Sequence, residues 1–151
     1  NSLPVNRATI YMADLVFRMI TDQDPHTNIF DSLKEALHRM EDGHDTDWPV
    51  LRFQWALLVE TGYQPTLITN QEDEPVVAFS SKIGGVVEDT GEIDRVRVRK
   101  ETIEVLRLLQ DQGPMQPTEP ETLNRANRLL GHYLRDLIGK ESAAMRWMWS
   151  E

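Results

Sequence analysis

Residues 95–100 read RVRVRK. Arg95, Arg97 and Arg99 alternate with Val96 and Val98, and on a strand this puts three guanidinium groups on one face and two valines on the other. Like charges side by side repel unless something anionic faces them. Together with Lys100 these arginines meet a phosphate backbone or an acidic partner, or else they form a solvated face that pairs with Glu88, Glu92 or Asp94. No aromatic is interleaved, so base stacking is not supported there. A second polar stretch, HRMEDGHDTD over 38–47, mixes His38 and His44 with acids. It fits neither H-E-x-x-H nor the calcium loop D-x-D-x-D-G, and reads as a solvated loop. His132 has no acid or nucleophile at a fixed spacing and reads as a packed or surface histidine. Met145, Trp147, Met148 and Trp149 either dock onto the domain or mark a partner or dimer surface. Nucleophilic catalysis finds no support, because the chain lacks Cys, G-x-S-x-G, a P-loop and G-x-G-x-x-G. Its carboxylates sit in acidic loops without an apolar pocket to raise a pKa. A binding protein without a cofactor is expected, not an enzyme.

Composition narrows the partners. The chain has 151 residues, 40% hydrophobic and 27% charged, the profile of one ordinary domain. Without cysteine it has no disulfide and no thiolate metal site. No apolar run approaches the ~18 residues of a membrane span. The chain opens on Asn1 rather than Met, as a piece with residues missing upstream would. The net charge of −9 is uneven: residues 1–94 hold 6 Lys and Arg against 17 Asp and Glu, and residues 95–151 hold 10 against 8. A grip on DNA by the whole surface is therefore not expected, since phosphate affinity comes from clustered cations.

Periodicity supplies the elements that must position these groups. Asn6 caps a first helix, about 7–21, with Ile10, Ala13, Phe17 and Ile20 as its buried stripe. TDQDPHTN turns at Pro25. A second helix, about 28–41, puts Ile29, Phe30, Leu33, Ala36, Leu37 and Met40 on one face, and EDGHDTD follows as an acidic loop around Gly43. Asp47 caps a third helix with Pro49 in its first turn and Gly62 just past its end. Val50 to Val59 make it apolar nearly all round, which predicts a central position. Residues 66–99 change to β-branched runs (Val76–Val77, Val86–Val87, Val96 and Val98) broken by Gly84–Gly85 and Gly91, the mark of two or three short strands. A fourth helix, about 100–112, turns Ile103, Leu106 and Leu109 inward. GPMQPTEP is a linker, and Thr118, Pro120 and Glu121 form a capping box that opens a fifth helix ending at Gly139. A short helix over 142–149 closes the chain. The fold class expected is mostly α: a bundle of five to six helices with a small antiparallel β-insertion, divided as 1–65 helical, 66–99 insertion and 100–151 helical.

LRFQWALLVETGYQPTLITNQED (51–73) followed by FSSKIGGVVED (79–89) gives an apolar helix, a Gly62–Tyr63–x–Pro65 junction and a Gly-Gly turn. This order resembles the C-terminal domain of RecO, a bacterial mediator of DNA repair and recombination. The resemblance covers nearly the whole chain, and it implies a cytoplasmic protein. In many RecO-like proteins the insertion carries a four-cysteine zinc site. Here Asn70 and Asp73 stand at the first pair, Glu88 and Gly91 at the second, so that site is lost and a metal-free insertion is expected to be the most mobile part. Only a weak hard-cation site from Asp73 and Glu88 would remain. The family's helical domain binds the acidic, Phe-ended C-terminal tail of single-stranded-DNA-binding protein, through arginine on the third helix. Here that implies Arg52, with Phe53 and Trp55 beside it, while Leu51 stands where some relatives have a second arginine. Pairing of Arg52 with Asp14 or Asp47 is the structural alternative. The resemblance further implies RecR as a partner, and an N-terminal OB-fold domain that supplies much of the contact with single-stranded DNA. Nothing in this sequence reads as that barrel. The alternative reading is a helical scaffold or dimerisation module with no nucleic-acid role, held by Trp147 and Trp149.

Overall fold

The computed structural model describes residues 2–20, 26–43, 45–69, 73–114 and 116–150. The turn at Pro25, His44 of the polar stretch and Asn70 of the emptied zinc position lie outside the described residues. The chain is mostly α with a β-insertion. Helices α1 (Leu3–Met19), α2 (Thr27–Gly43) and α3 (Asp47–Glu60) precede strands β1 (Val76–Ser80), β2 (Gly85–Val87) and β3 (Arg95–Arg99); α4 (Lys100–Gln110), α5 (Pro120–Ile138) and α6 (Ala143–Trp149) follow.

The apolar helix α3 sits centrally, as its sequence requires. It packs on α1, α2 and α5, and it buries Val50, Leu51, Phe53, Trp55, Leu57 and Leu58. Its end is a Schellman turn: the Tyr63 N–H donates to the Leu58 carbonyl at 2.7 Å and the Gly62 N–H to the Val59 carbonyl at 3.2 Å. Gly62 holds φ at +86°, a left-handed conformation that costs a side chain about 1–2 kcal/mol.

The insertion is one antiparallel sheet in the order β2-β1-β3. Val77 opposes Val98 and Phe79 opposes Val96, while Ser80 opposes Gly85 on the other side. The two short motifs that carry the resemblance meet here. Thr66, just past the Gly-Tyr-x-Pro junction, bridges to Gly85: its N–H donates to the Gly84 carbonyl at 3.0 Å, and its carbonyl accepts from the Val86 N–H at 2.8 Å. Any Cβ on Gly85 would run into the Thr66 backbone, so the strand can pass this close only at glycine. Tyr133 of α5 seals the junction. Its hydroxyl donates to the Tyr63 carbonyl at 3.1 Å, and its ring meets Phe79 edge-on at 5.4 Å.

Several expectations need correction. α1 begins at Leu3, capped by the Ser2 hydroxyl, which accepts from the Val5 N–H; Asn6 lies inside the helix. Its buried face is Ala8, Tyr11, Met12 and Leu15, while Ile10 and Phe17 of the expected stripe are 48% and 82% exposed. Two apolar stripes occupy opposite sides of this helix, and the side with Tyr11 is the one covered by α3 and α6. Phe30 is likewise exposed on α2. α2 runs on through Gly43, which shortens the acidic loop. Thr46, not Asp47, holds the cap position of α3. α4 stops at Gln110. The Thr118 capping box does not form: its hydroxyl turns back to the Gln116 carbonyl, and Glu119 stands at the cap of α5.

Candidate partner-binding groove

Arg52 belongs to the first turns of α3, on the side that faces α2. With Phe53, Trp55, Ala56 and Val59 it lines a groove of about 680 Å³ that α2 closes with Ile29, Ala36 and Arg39, and the end of α4 with Leu108 and Leu109. Phe53 and Trp55 are themselves core residues, 1% and 7% exposed, so they form the floor of the groove rather than a free surface. A smaller hollow of about 370 Å³ adjoins it at the start of α3, and Arg52 lines both.

The electrostatics of Arg52 are unbalanced. Its Nε is buried and has no hydrogen-bond partner among the described residues. Neither of the acids considered from the sequence serves it. Asp14 is held by Arg18 at 3.0 Å and by the Ser142 hydroxyl at 2.7 Å, and Asp47 forms no ion pair among the described residues. A buried donor without a partner is costly, and a ligand carboxylate offers the two parallel acceptors a guanidinium fits. Burial, then the neighbouring Asp45, raises the Asp47 pKa above its ordinary value.

The arginines on β3 are placed differently. Arg95 folds back into the loop before it: its side chain is 13% exposed, meets Glu92 at 3.2 Å and donates to the Glu88 carbonyl. Arg97 pairs with Asp89 at 3.2 Å. Arg99 is exposed, and no ion pair reaches it among the described residues. Lys100 opens α4, its N–H donating to the Pro75 carbonyl at 2.9 Å. Two of the three guanidinium groups are thus met by local acceptors, and none lines the groove of Arg52.

The remaining sequence candidates resolve into local pairs. His38 meets Asp42 at 3.2 Å on the exposed side of α2. His132 does have an acid at fixed spacing, Asp136 one turn on at 3.1 Å, a helical i,i+4 pair that was readable in the sequence. Asp94 accepts from the Ser80 hydroxyl at 2.6 Å; that bond, helped by Arg95, holds its carboxyl below the usual range. Among the described residues no three His, Asp or Glu side chains converge as metal ligands. The C-terminal aromatics dock. Trp149 packs into the space left by Gly131 and meets Tyr11 edge-on at 5.3 Å, while Arg7 lies over Trp147 at 5.7 Å.

Residues 5–145 match the family described as "Recombination protein O C terminal". The chain belongs to this family. Among curated proteins it is similar to "DNA repair protein RecO" of Laribacter hongkongensis, 36% identical over 69 residues. That stretch is 45% of this chain and 28% of the relative, so the chain matches less than a third of the relative's length. No solved structure matches it. In this RecO C-terminal chain the positions that a zinc-bearing relative would fill with cysteine do not fit zinc: Asp73, Glu88 and Gly91 offer two carboxylates and no side-chain donor at the third.

Proposed function

We propose that this chain is a single non-enzymatic binding domain of a DNA-repair and recombination mediator. Its groove takes the acidic, Phe-ended tail of single-stranded-DNA-binding protein, and it works with RecR. Family membership supports the repair and recombination role. The observation that carries the groove reading is Arg52, whose guanidinium lies beside a hollow of mixed polar and apolar lining with its Nε unpartnered among the described residues. A tail of that type needs one guanidinium for its carboxylates and one apolar pocket for its ring, and the groove places both within one helix turn. Arg99 and Lys100 are the cations on the 95–100 segment left to approach single-stranded DNA or an acidic partner; an OB-fold domain carries most of the DNA contact in this reading. Among the described residues no helix is long and apolar enough to cross a membrane, which fits a cytoplasmic role. The scaffold or dimer alternative would use the exposed parts of Trp147 and Trp149, which are half-buried against α1 and α5.

The test is a titration with a peptide carrying that tail. Arg52→Ala should weaken binding by roughly ten- to hundredfold, the share of a hydrogen bond to a charged group. Binding indifferent to Arg52, or no binding by the unaltered domain, would remove the tail from the reading.

A further inference from the structure

The groove holds a second cation that neither the family pattern nor the third helix supplies. Arg39 of α2 faces Arg52 across the helix pair and lines the same two hollows. Its guanidinium is engaged by Glu35, one turn earlier: Nε and Nη2 both reach Oε1 at 2.9 Å. This pair stands in water, with side chains 43% and 62% exposed, and an exposed i,i+4 pair contributes little to the helix. Glu35 itself lines the larger hollow. Its carboxylate therefore sits where the carboxylate of a groove-bound ligand would sit.

The groove also has a direction. Its two arginines, Arg39 and Arg52, stand at one end beside the start of α3, where Asp42 and Asp45 also line the smaller hollow. The other end offers Ala56, Val59 and Leu109, together with Glu60 and the end of α4. A peptide that carries carboxylates next to one large apolar side chain matches this order, and a uniformly acidic one does not.

We propose that Arg39 is the second carboxylate contact of the peptide groove, and that Glu35 occupies its place until a ligand displaces it. This rests on the reading of the groove as a peptide site. Binding is then an exchange of one exposed ion pair for another, and its cost is small. Arg39 favours peptides with at least two carboxylates, and Glu35 sets a threshold against peptides with one.

The experiment titrates the whole chain with a short peptide of several aspartates ending in Phe, and with the same peptide carrying asparagine at every aspartate, so that its terminal carboxylate is the one carboxylate left. Arg39→Gln should weaken the acidic peptide by about three- to fivefold and lower the salt dependence, while Arg39→Lys restores most of both. Glu35→Gln should tighten it by about twofold. Both effects should vanish with the asparagine peptide. If Arg39→Gln and Glu35→Gln bind as the unaltered chain does while Arg52→Ala still loses binding, the second contact is overturned and the groove reading stands. If the unaltered chain binds neither peptide, both fall together.

Discussion

Three polar side chains hold the middle of the bundle together. The Tyr11 hydroxyl donates to Gln54 Oε1 at 2.6 Å, Gln54 Nε2 donates to Asn127 Oδ1 at 2.9 Å, and Asn127 Nδ2 donates to the Asp47 carbonyl at 2.9 Å. The chain of bonds joins α1, α3 and α5, and its last link fixes the start of α3, the turn from which Arg52 projects. Gln54 is fully buried and serves both neighbours, so Gln54→Ala strands a hydroxyl and an amide at once. We expect it to lower unfolding stability by about 2–4 kcal/mol in urea, against about 1–2 for Tyr11→Phe, which strands one acceptor. Burial also pushes the Tyr11 phenol above its usual 10.0. A raised phenol keeps its contribution below the unfolded value and loses it as pH rises from there toward the folded one. Stability should therefore fall from about pH 10 upward, and the fall should be shallower in Tyr11→Phe. It will not vanish, because burial raises Tyr133 as well. An unchanged alkaline slope would assign the loss to other groups.

At the scale of elements, the decisive contact is between the junction after α3 and the turn into β2. Gly85→Ala pushes a methyl into the Thr66 backbone, which is tied to this strand by its bonds to Gly84 and Val86. The substitution should cost about 1–3 kcal/mol, the usual range for overpacking. Gly43→Ala is the control: nothing lies within 4 Å of its Cβ position at the end of α2, and it should be neutral or slightly stabilising. Equal melting shifts for the two would mean that the Thr66–Gly85 approach does not matter. The same elements show what a sequence can carry. Gly62 and Gly139 were readable as helix ends because a left-handed cap leaves few alternatives to glycine. The centrality of α3 was readable because a helix apolar all round has no other place. The phase of α1 was not, since Leu3, Ile10 and Phe17 repeat as regularly as Ala8, Tyr11 and Leu15, and only α3 and α6 decide which side is covered. The sequence pointed to Arg52 only through the family resemblance and to Arg39 not at all, because the two come to line one groove only when α2 lies across from α3. The pairing of Arg95 with Glu92 was legible as a charge match within a few residues.

For the whole molecule the question is how evenly stability is spread when no cysteine can hold a metal in the insertion. A structural metal contributes folding energy directly to the segment that binds it. Here the sheet must rely on packing, and that packing is graded. β1 is the middle strand, with four of its five residues buried and both neighbours bonded to it. β2 has only three residues, and β3 is exposed over most of its length. The loop between them, 88–94, is exposed and held by local bonds such as Arg95 to Glu92, with Asp94 to Ser80 at its end. Helices α3 and α5, by contrast, pack against each other through the core and share the Gln54–Asn127 bond. Local opening follows buried contact, so amide protection should fall in the order α3 and α5, then β1, then β2 and the 88–94 loop. Native-state hydrogen exchange reads this directly. The amides of α3 should exchange only by global unfolding, and those of the 88–94 loop by opening that leaves the bundle intact. Gly85→Ala should widen the gap by loosening β2 while leaving α3 protected. Protection of β2 equal to that of α3 would show that the insertion unfolds as one unit with the bundle.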